Sequence, residues 1–368
     1  MNPAGDLREA VRSLLEDNLG LRRGERLLLL GDHGEDVPEV DLAADVSGIL
    51  ADLHPETTAL IYPSTGRSGI EPPKEAWEAA FGPEAVSRFE EGGLLDRLIG
   101  KRADGDDLAR AEEIAAVSDA VDAVVALAYH STSHTLFRRL LTVSSGVRYA
   151  SMPHFHRDMF FGSMRVNWHE LALSTRTLAR AMEGVDHFEI GSGNGTSLTL
   201  SATGRHLKTD DGILTEPGAW GNLPAGEVFL APLEGTAEGI LVLEWGPSAK
   251  LSSPLTVEIR AGRAVSVSGE NGDTVRWLEG LLAAHPENRN VAELGIGTNP
   301  RATRPDSILE SEKILGTVHV AFGDNHNFGG KVVAPFHLDF VVYGATLVAV
   351  WESGGGRRVI LSEGDPGW

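Results

Sequence analysis

The feature that most constrains this fold is a change of texture near residue 185. Before it, short apolar runs of strand type lie at 26–31, 57–63, 121–129 and 147–152, and segments of helical period lie at 7–19, 40–53, about 133–141 and 171–182. A chain that keeps returning to a buried strand through a helix builds a mostly parallel, doubly wound sheet. After 185, strand-type segments follow one another with turns between them, at 197–202, 226–232, 239–245, 255–260, 264–268, 317–322, 332–343 and 345–351. One helix, at 273–284, interrupts them. The expectation is an α/β N-terminal domain over 1–185, followed by an α+β C-terminal domain over 186–368 with a mixed or antiparallel sheet.

Composition narrows the function. At 368 residues the chain is long enough for two cores, and 42% hydrophobic residues exclude wholesale disorder. A net charge of −21, only six lysines and no basic run argue against a nucleic-acid partner, because phosphate affinity rests on clustered cations. The absence of cysteine removes disulfides, thiolate nucleophiles, iron–sulfur clusters and Cys-ligated zinc. The longest aliphatic run, 27–30, is far too short for a membrane span, and the N-terminus carries no basic region leading into an apolar one. A cytoplasmic protein with no membrane partner is expected.

Several motifs read as structure. His169-Glu170 opens like a helical zinc motif but lacks the second histidine, and Gly191-Ser-Gly-Asn-Gly195 reads as a turn between strands. No G-x-S-x-G elbow occurs. His154-Phe-His156 and the loop Tyr129-His-Ser-Thr-Ser-His-Thr135 follow strands, where functional loops of a parallel sheet gather; the first reads as a His-x-His metal pair, a site-lining loop or plain surface, and the second as a functional loop or as helix capping by Ser131 or Ser133.

The strongest constellation lies further on. In Phe336-His-Leu-Asp-Phe340, strand alternation puts His337 and Asp339 on one face and the apolar residues on the other. Thr317-Val-His-Val-Ala-Phe322 repeats the pattern around His319. Glu227 stands opposite an apolar face in 226–230, Glu293 precedes a turn in 292–297, and His326 lies in a Gly-rich loop. Imidazole and carboxylate side chains on apolar strands are costly to bury unless paired or metal-bound. Without thiolates, such a set suits Zn²⁺, Co²⁺, Mn²⁺ or Fe²⁺, and six donors suit two ions sharing a carboxylate. A metal-free His–Asp pair is the other reading of His337 and Asp339.

Gly221-Asn-Leu-Pro-Ala-Gly-Glu227, Glu293-Leu-Gly-Ile-Gly-Thr-Asn-Pro300, Glu312-Lys-Ile-Leu-Gly-Thr-Val-His319 and His337-Leu-Asp339 resemble the M29 family, the thermophilic aminopeptidases of the aminopeptidase T type. The resemblance implies a dimeric, two-domain enzyme acting on a peptide or small-molecule substrate, with two divalent ions (Zn, Co or Mn) in the C-terminal domain. Glu227, Glu293, His319, His337 and Asp339 match its ligands; Glu293 or Glu227 would bridge the ions, and whichever is not fully coordinated would move the proton. This chain has His326 where the aminopeptidases have a tyrosine, and only 18 positions separate His319 from His337. His326 is then a sixth ligand, a general acid or an exposed loop residue. The same neighbourhood includes ring-opening iron enzymes similar to 2,5-dihydroxypyridine dioxygenase, whose Fe(II) site His319, His337 and Asp339 would supply. A metal-dependent aminopeptidase is the first expectation, such a dioxygenase the alternative, and a binding protein with a structural metal a third.

Overall fold

The computed structural model describes residues 3–352 and 354–368. It divides into two compact units: one takes the chain up to Trp168 together with Gly212–Pro224, the other takes His169–Asp211 and Ala225–Trp368. The division falls at Trp168, not at 185, and the first unit reclaims a later segment.

The first unit holds strands β1 (Leu27–His33), β2 (Thr57–Pro63), β3 (Ala123–Ala126), β4 (Arg148–Ser151) and the later β8 (Trp220–Asn222). They form one parallel sheet in the order β2-β1-β3-β4-β8. Helices α1 (Pro3–Ser13) and α2 (Leu42–Leu53) lie near the expected positions, and a π-helical turn, Leu14–Asn18, extends α1. Between β2 and β3 the chain forms α3 (Lys74–Phe81), α4 (Pro83–Glu90), α5 (Leu94–Ile99) and α6 (Gly105–Ala116), four short helices the sequence reading did not place. Trp77, Phe81 and Phe89 from this segment pack with Phe137 of α7 (Leu136–Arg139), with ring centroids 5.4–5.9 Å apart. Those rings join Leu28 and Leu30 of β1 in one core.

The second unit begins with α8 (Trp168–Ala181, its first residue excepted) and continues through β5 (His187–Ser192), β6 (Ser197–Ser201), β7 (Lys208–Asp210), β9 (Glu227–Leu230), β10 (Glu238–Trp245), β11 (Lys250–Arg260) and β12 (Arg263–Gly269). Then come α9 (Gly272–Ala283), β13 (Val291–Gly297), α10 (Ile308–Ser311), β14 (Val318–Gly323), β15 (His337–Val342), β16 (Ala345–Trp351), β17 (Gly356–Ser362) and β18 (Asp365–Pro366). Two antiparallel sheets result, β12-β11-β10-β6-β5-β16-β17-β18 and β15-β14-β13-β9-β7. Leu198, Leu241, Val257 and Leu347 of the larger sheet share a core with Val228, Leu294, Val320 and Phe340 of the smaller. Because alternate residues face opposite sides of a sheet, the smaller sheet's other face can carry polar side chains. The expected strand 332–343 starts only at His337, and 292–297, read as the approach to a turn, lies within the buried strand β13. No described helix is long and apolar enough to cross a membrane.

Candidate metal centre

Alternation along four neighbouring strands places the expected ligands together. On β15, His337 and Asp339 face away from the core while Phe340 enters it; on β14, His319 and Ala321 face away while Val318, Val320 and Phe322 enter it. On β13, Glu293, Gly295 and Gly297 alternate with Leu294 and Ile296, and on β9 Glu227 precedes buried Val228. The register aligns Asp339 with Ala321 and Glu293, and Gly295 with His319. Glu227 stands between Gly297 and Asp210. Small residues leave room above the sheet. At Gly295 an added Cβ would lie only 1.9 Å from His319 Nε2.

Three groups of potential ligand atoms result: Glu227, Glu293 and His319; Glu293, His337 and Asp339; and Glu312, His319 and Asp339, with the atoms of each group within 4.8 Å of one another. His319 Nε2 lies 3.3 Å from Glu227 Oε2 and 3.5 Å from Glu293 Oε1; His337 Nε2 lies 3.4 Å from Glu293 Oε2 and 3.5 Å from Asp339 Oδ2. Glu293 therefore links the two histidines. His337 Nδ1 donates to the Asp324 carbonyl at 2.7 Å, which turns Nε2 toward the carboxylates. Among the described residues, Glu227 Oε2, Asp339 Oδ1 and both ring nitrogens of His319 have no hydrogen-bond partner.

The electrostatics fit a cation. Burial disfavours charge on His319, but the Glu293, Glu227 and Asp339 carboxylates outweigh it and push the ring's pKa up to about 9. Burial likewise opposes charge on His337, and Asp339 with Glu293 raises it nonetheless. Burial works against ionised Glu293 and Asp339 too, yet the imidazoles hold Glu293 below its usual range and bring Asp339 down to about 2. The centre thus holds protons where a divalent ion would replace them, and its unpartnered buried atoms converge on that space. The donor set fits a metal of the Zn, Co, Mn or Fe type.

His326 stands apart. It is exposed on the short 3-10 turn His326–Phe328 and belongs to none of the three groups among the described residues. Its neighbour Phe328 packs edge-on against His337, with centroids 5.7 Å apart. Three charged residues escaped the sequence reading. Lys313 is 1% exposed, with Nζ 2.6 Å from Glu227 Oε1, 2.7 Å from Glu312 Oε1 and 3.6 Å from Asp210 Oδ2. Burial is the main cause that lifts Glu312 to about 8 and Asp210 to about 7. The only signal for them was Glu312-Lys313 standing inside a motif already noted for its resemblance.

In the first unit, His154 and His156 lie beyond the end of β4 and not on a strand face, and His154 has a φ of 51°. His156 pairs with Glu39 at 3.3 Å, and His130 with Asp36 at 2.7 Å. The β1/β3 switch point, where Asp32 accepts from the Tyr129 N–H, borders a small, partly open cleft of about 20 Å³, room for one water. Thr135, not Ser131 or Ser133, caps α7 by accepting from the Arg138 N–H.

The geometry can be set beside known proteins. The smaller sheet and all three ligand groups lie within residues 165–349, half of the chain, which match the model of the family NicX: 2,5-dihydroxypyridine 5,6-dioxygenase. The 2,5-dihydroxypyridine 5,6-dioxygenase of Pseudomonas putida KT2440 is 30% identical over 147 residues, covering 36% of this chain and 41% of that protein. The solved structure of 2,5-dihydroxypyridine dioxygenase from the same organism superposes with a TM-score of 0.66 at 18% identity, covering 99% of this chain and 96% of the other. Wild-type AmpT from Thermus thermophilus superposes with a TM-score of 0.59 at 16% identity, covering 99% of both chains. At these identities the structural likeness is one of fold, and it bears out the M29-like architecture. The sequence matches favour the dioxygenase over the aminopeptidase that the motifs put first. The chain belongs to the NicX, or 2,5-dihydroxypyridine 5,6-dioxygenase, family.

Proposed function

We propose that this protein is an Fe(II)-dependent dioxygenase that opens a hydroxylated pyridine-type ring. The observation that carries the reading is that the family match spans every side chain of the centre. His319, His337 and Asp339 would hold the ion as the two-histidine, one-carboxylate set of non-heme iron oxygenases; Asp339 shares one ligand group with His337 and another with His319, and Glu293 shares one with each histidine. Bound there, Fe(II) supplies the one-electron chemistry by which dioxygen reacts with a ring.

The rest falls to the chain. Glu293, whose two oxygens lie 3.5 and 3.4 Å from the imidazoles of His319 and His337, is the carboxylate placed to accept a proton from a ring hydroxyl. The His337 side chain is 28% exposed against 1% for His319, so the ring approaches from its side. Phe328 there gives the approach an apolar aromatic edge against a flat substrate face.

Glu293, common to two adjacent ligand groups, supports a second reading: a two-ion aminopeptidase in which it bridges zinc, cobalt or manganese. Metal analysis of untagged protein purified anaerobically separates the two. About one iron per chain, with oxygen uptake on adding 2,5-dihydroxypyridine, is the expected result. Two equivalents of zinc, cobalt or manganese, hydrolysis of aminoacyl amides and no oxygen uptake would sink the dioxygenase.

A further inference from the structure

We infer that Lys313 is a positioning residue of the metal centre: its ammonium holds Glu227 Oε1 so that Glu227 Oε2 is left for the ion. The inference rests on the reading that Glu227, Glu293 and His319 hold a metal, and not on which reaction follows.

A lysine is among the most costly side chains to enclose, yet Lys313 is one of the largest fully buried side chains of the protein. Its backbone is fixed on both sides: its N–H donates to the Glu310 carbonyl at 3.0 Å, and its carbonyl accepts from the Asn299 N–H at 2.8 Å. The ammonium then meets three carboxylates, bonding Glu227 at 2.6 Å and Glu312 at 2.7 Å, with Asp210 at 3.6 Å. An ammonium has three N–H donors and no lone pair, so Lys313 so engaged is neither a base nor a nucleophile.

What it does instead is seen at Glu227. One oxygen is taken by Lys313; the other, Oε2, has no hydrogen-bond partner among the described residues and lies 3.3 Å from His319 Nε2. A carboxylate bound at one oxygen by a rigid cation cannot rotate or chelate through both, so it reaches the ion through the remaining oxygen. Lys313 thereby sets both the orientation and the denticity of Glu227.

The test uses the full-length protein and Co²⁺ as probe, with affinity read by chelator competition and geometry by the visible absorption of the bound ion. Lys313→Met should weaken Co²⁺ binding by about 10–100-fold and alter the spectrum. Glu227→Gln should weaken it too, and the double variant Lys313→Met/Glu227→Gln should bind no more weakly than Glu227→Gln alone, because Lys313 acts through that carboxylate. Should Lys313→Met alone fail to fold, the double variant, which removes both charges, still supplies the comparison. Unchanged affinity and spectrum in Lys313→Met, or a double variant weaker than Glu227→Gln by the full factor of the lysine change, overturns the inference. Wild-type protein that binds no Co²⁺ overturns it as well. Tight Co²⁺ binding with the expected coupling, but no oxygen uptake by the iron-loaded enzyme with dihydroxypyridine, supports the role of Lys313 while removing the dioxygenase.

Discussion

At Gly295 the backbone of β13 runs beneath the imidazole of His319, and any side chain would occupy the ring's place. Gly295→Ala must therefore displace the His319 ring, the β13 backbone or both. The expected result is at least a ~100-fold loss of metal affinity with about 1–3 kcal/mol of destabilisation from overpacking, measured by chelator competition and denaturant titration. A second expectation concerns protons. With His319 titrating at about 9 and His337 raised as well, both rings are protonated at neutral pH in the metal-free protein, and an ion must displace those protons. Metal affinity should then fall as pH drops from 9 to 6, by about tenfold per unit for each proton displaced. Calorimetry in buffers of different ionisation enthalpy should detect the released protons; a flat profile would contradict the raised values. His319, His337 and Asp339 were legible in the sequence because each interrupts an apolar strand at alternate positions. Lys313 was not, since its partner Glu227 lies 86 residues away and a lysine's ordinary place is the surface.

Among elements, the strands were easier to read than what joins them. β13 was hidden by Gly295 and Gly297, a residue type depleted from strands, although those glycines clear the face that Glu293 shares with His319. The loop 323–336 was read as Gly-rich and partly as strand; what shapes it is Asn325, which is 0% exposed. Its side chain donates to Glu234 Oε1 at 3.2 Å and accepts from the Val332 N–H at 2.9 Å, while Arg205 joins Glu234 to the Gly329 carbonyl. This ties down the segment whose Asp324 carbonyl orients His337. Asn325→Ala should cost about 1–3 kcal/mol by leaving buried polar groups unpaired, and should weaken metal binding as well. Asn271→Ala provides the contrast. It removes the cap that accepts from the Asp273 and Thr274 N–H groups at the start of α9 and should cost about 1 kcal/mol. Among the described residues the Asn271 side chain bonds only Ser252, Asp273 and Thr274, none of them in the centre, so metal affinity should not change. Equal metal affinity in both variants would show that the loop's anchor does not set the ligand geometry.

Among the described residues, one core lies against the parallel sheet and another between the two antiparallel sheets. Their textures could be read because helix and strand periods differ. The return of Trp220–Asn222 to the first sheet could not, because three residues joined by backbone pairing to β4 leave no period to detect. The centre lies wholly in the second unit and gathers Asp210, Glu227, Glu293, Glu312 and Asp339 in a protein already at −21, so a bound ion would relieve repulsion among these carboxylates. An ion that binds only the folded centre stabilises it by mass action, by about 2.7 kcal/mol at a free concentration 100 times Kd. Hydrogen exchange followed residue by residue should locate that energy. Amides of β13 and β14 that exchange through unfolding of their unit should slow by about 100-fold on loading, while those of β1 and β3 keep their rates. Slowing in all four strands would mean that the two cores open together. No slowing in β13 and β14 would mean that the ion is not held by the folded ligand face at all, and the metal reading would fall with it.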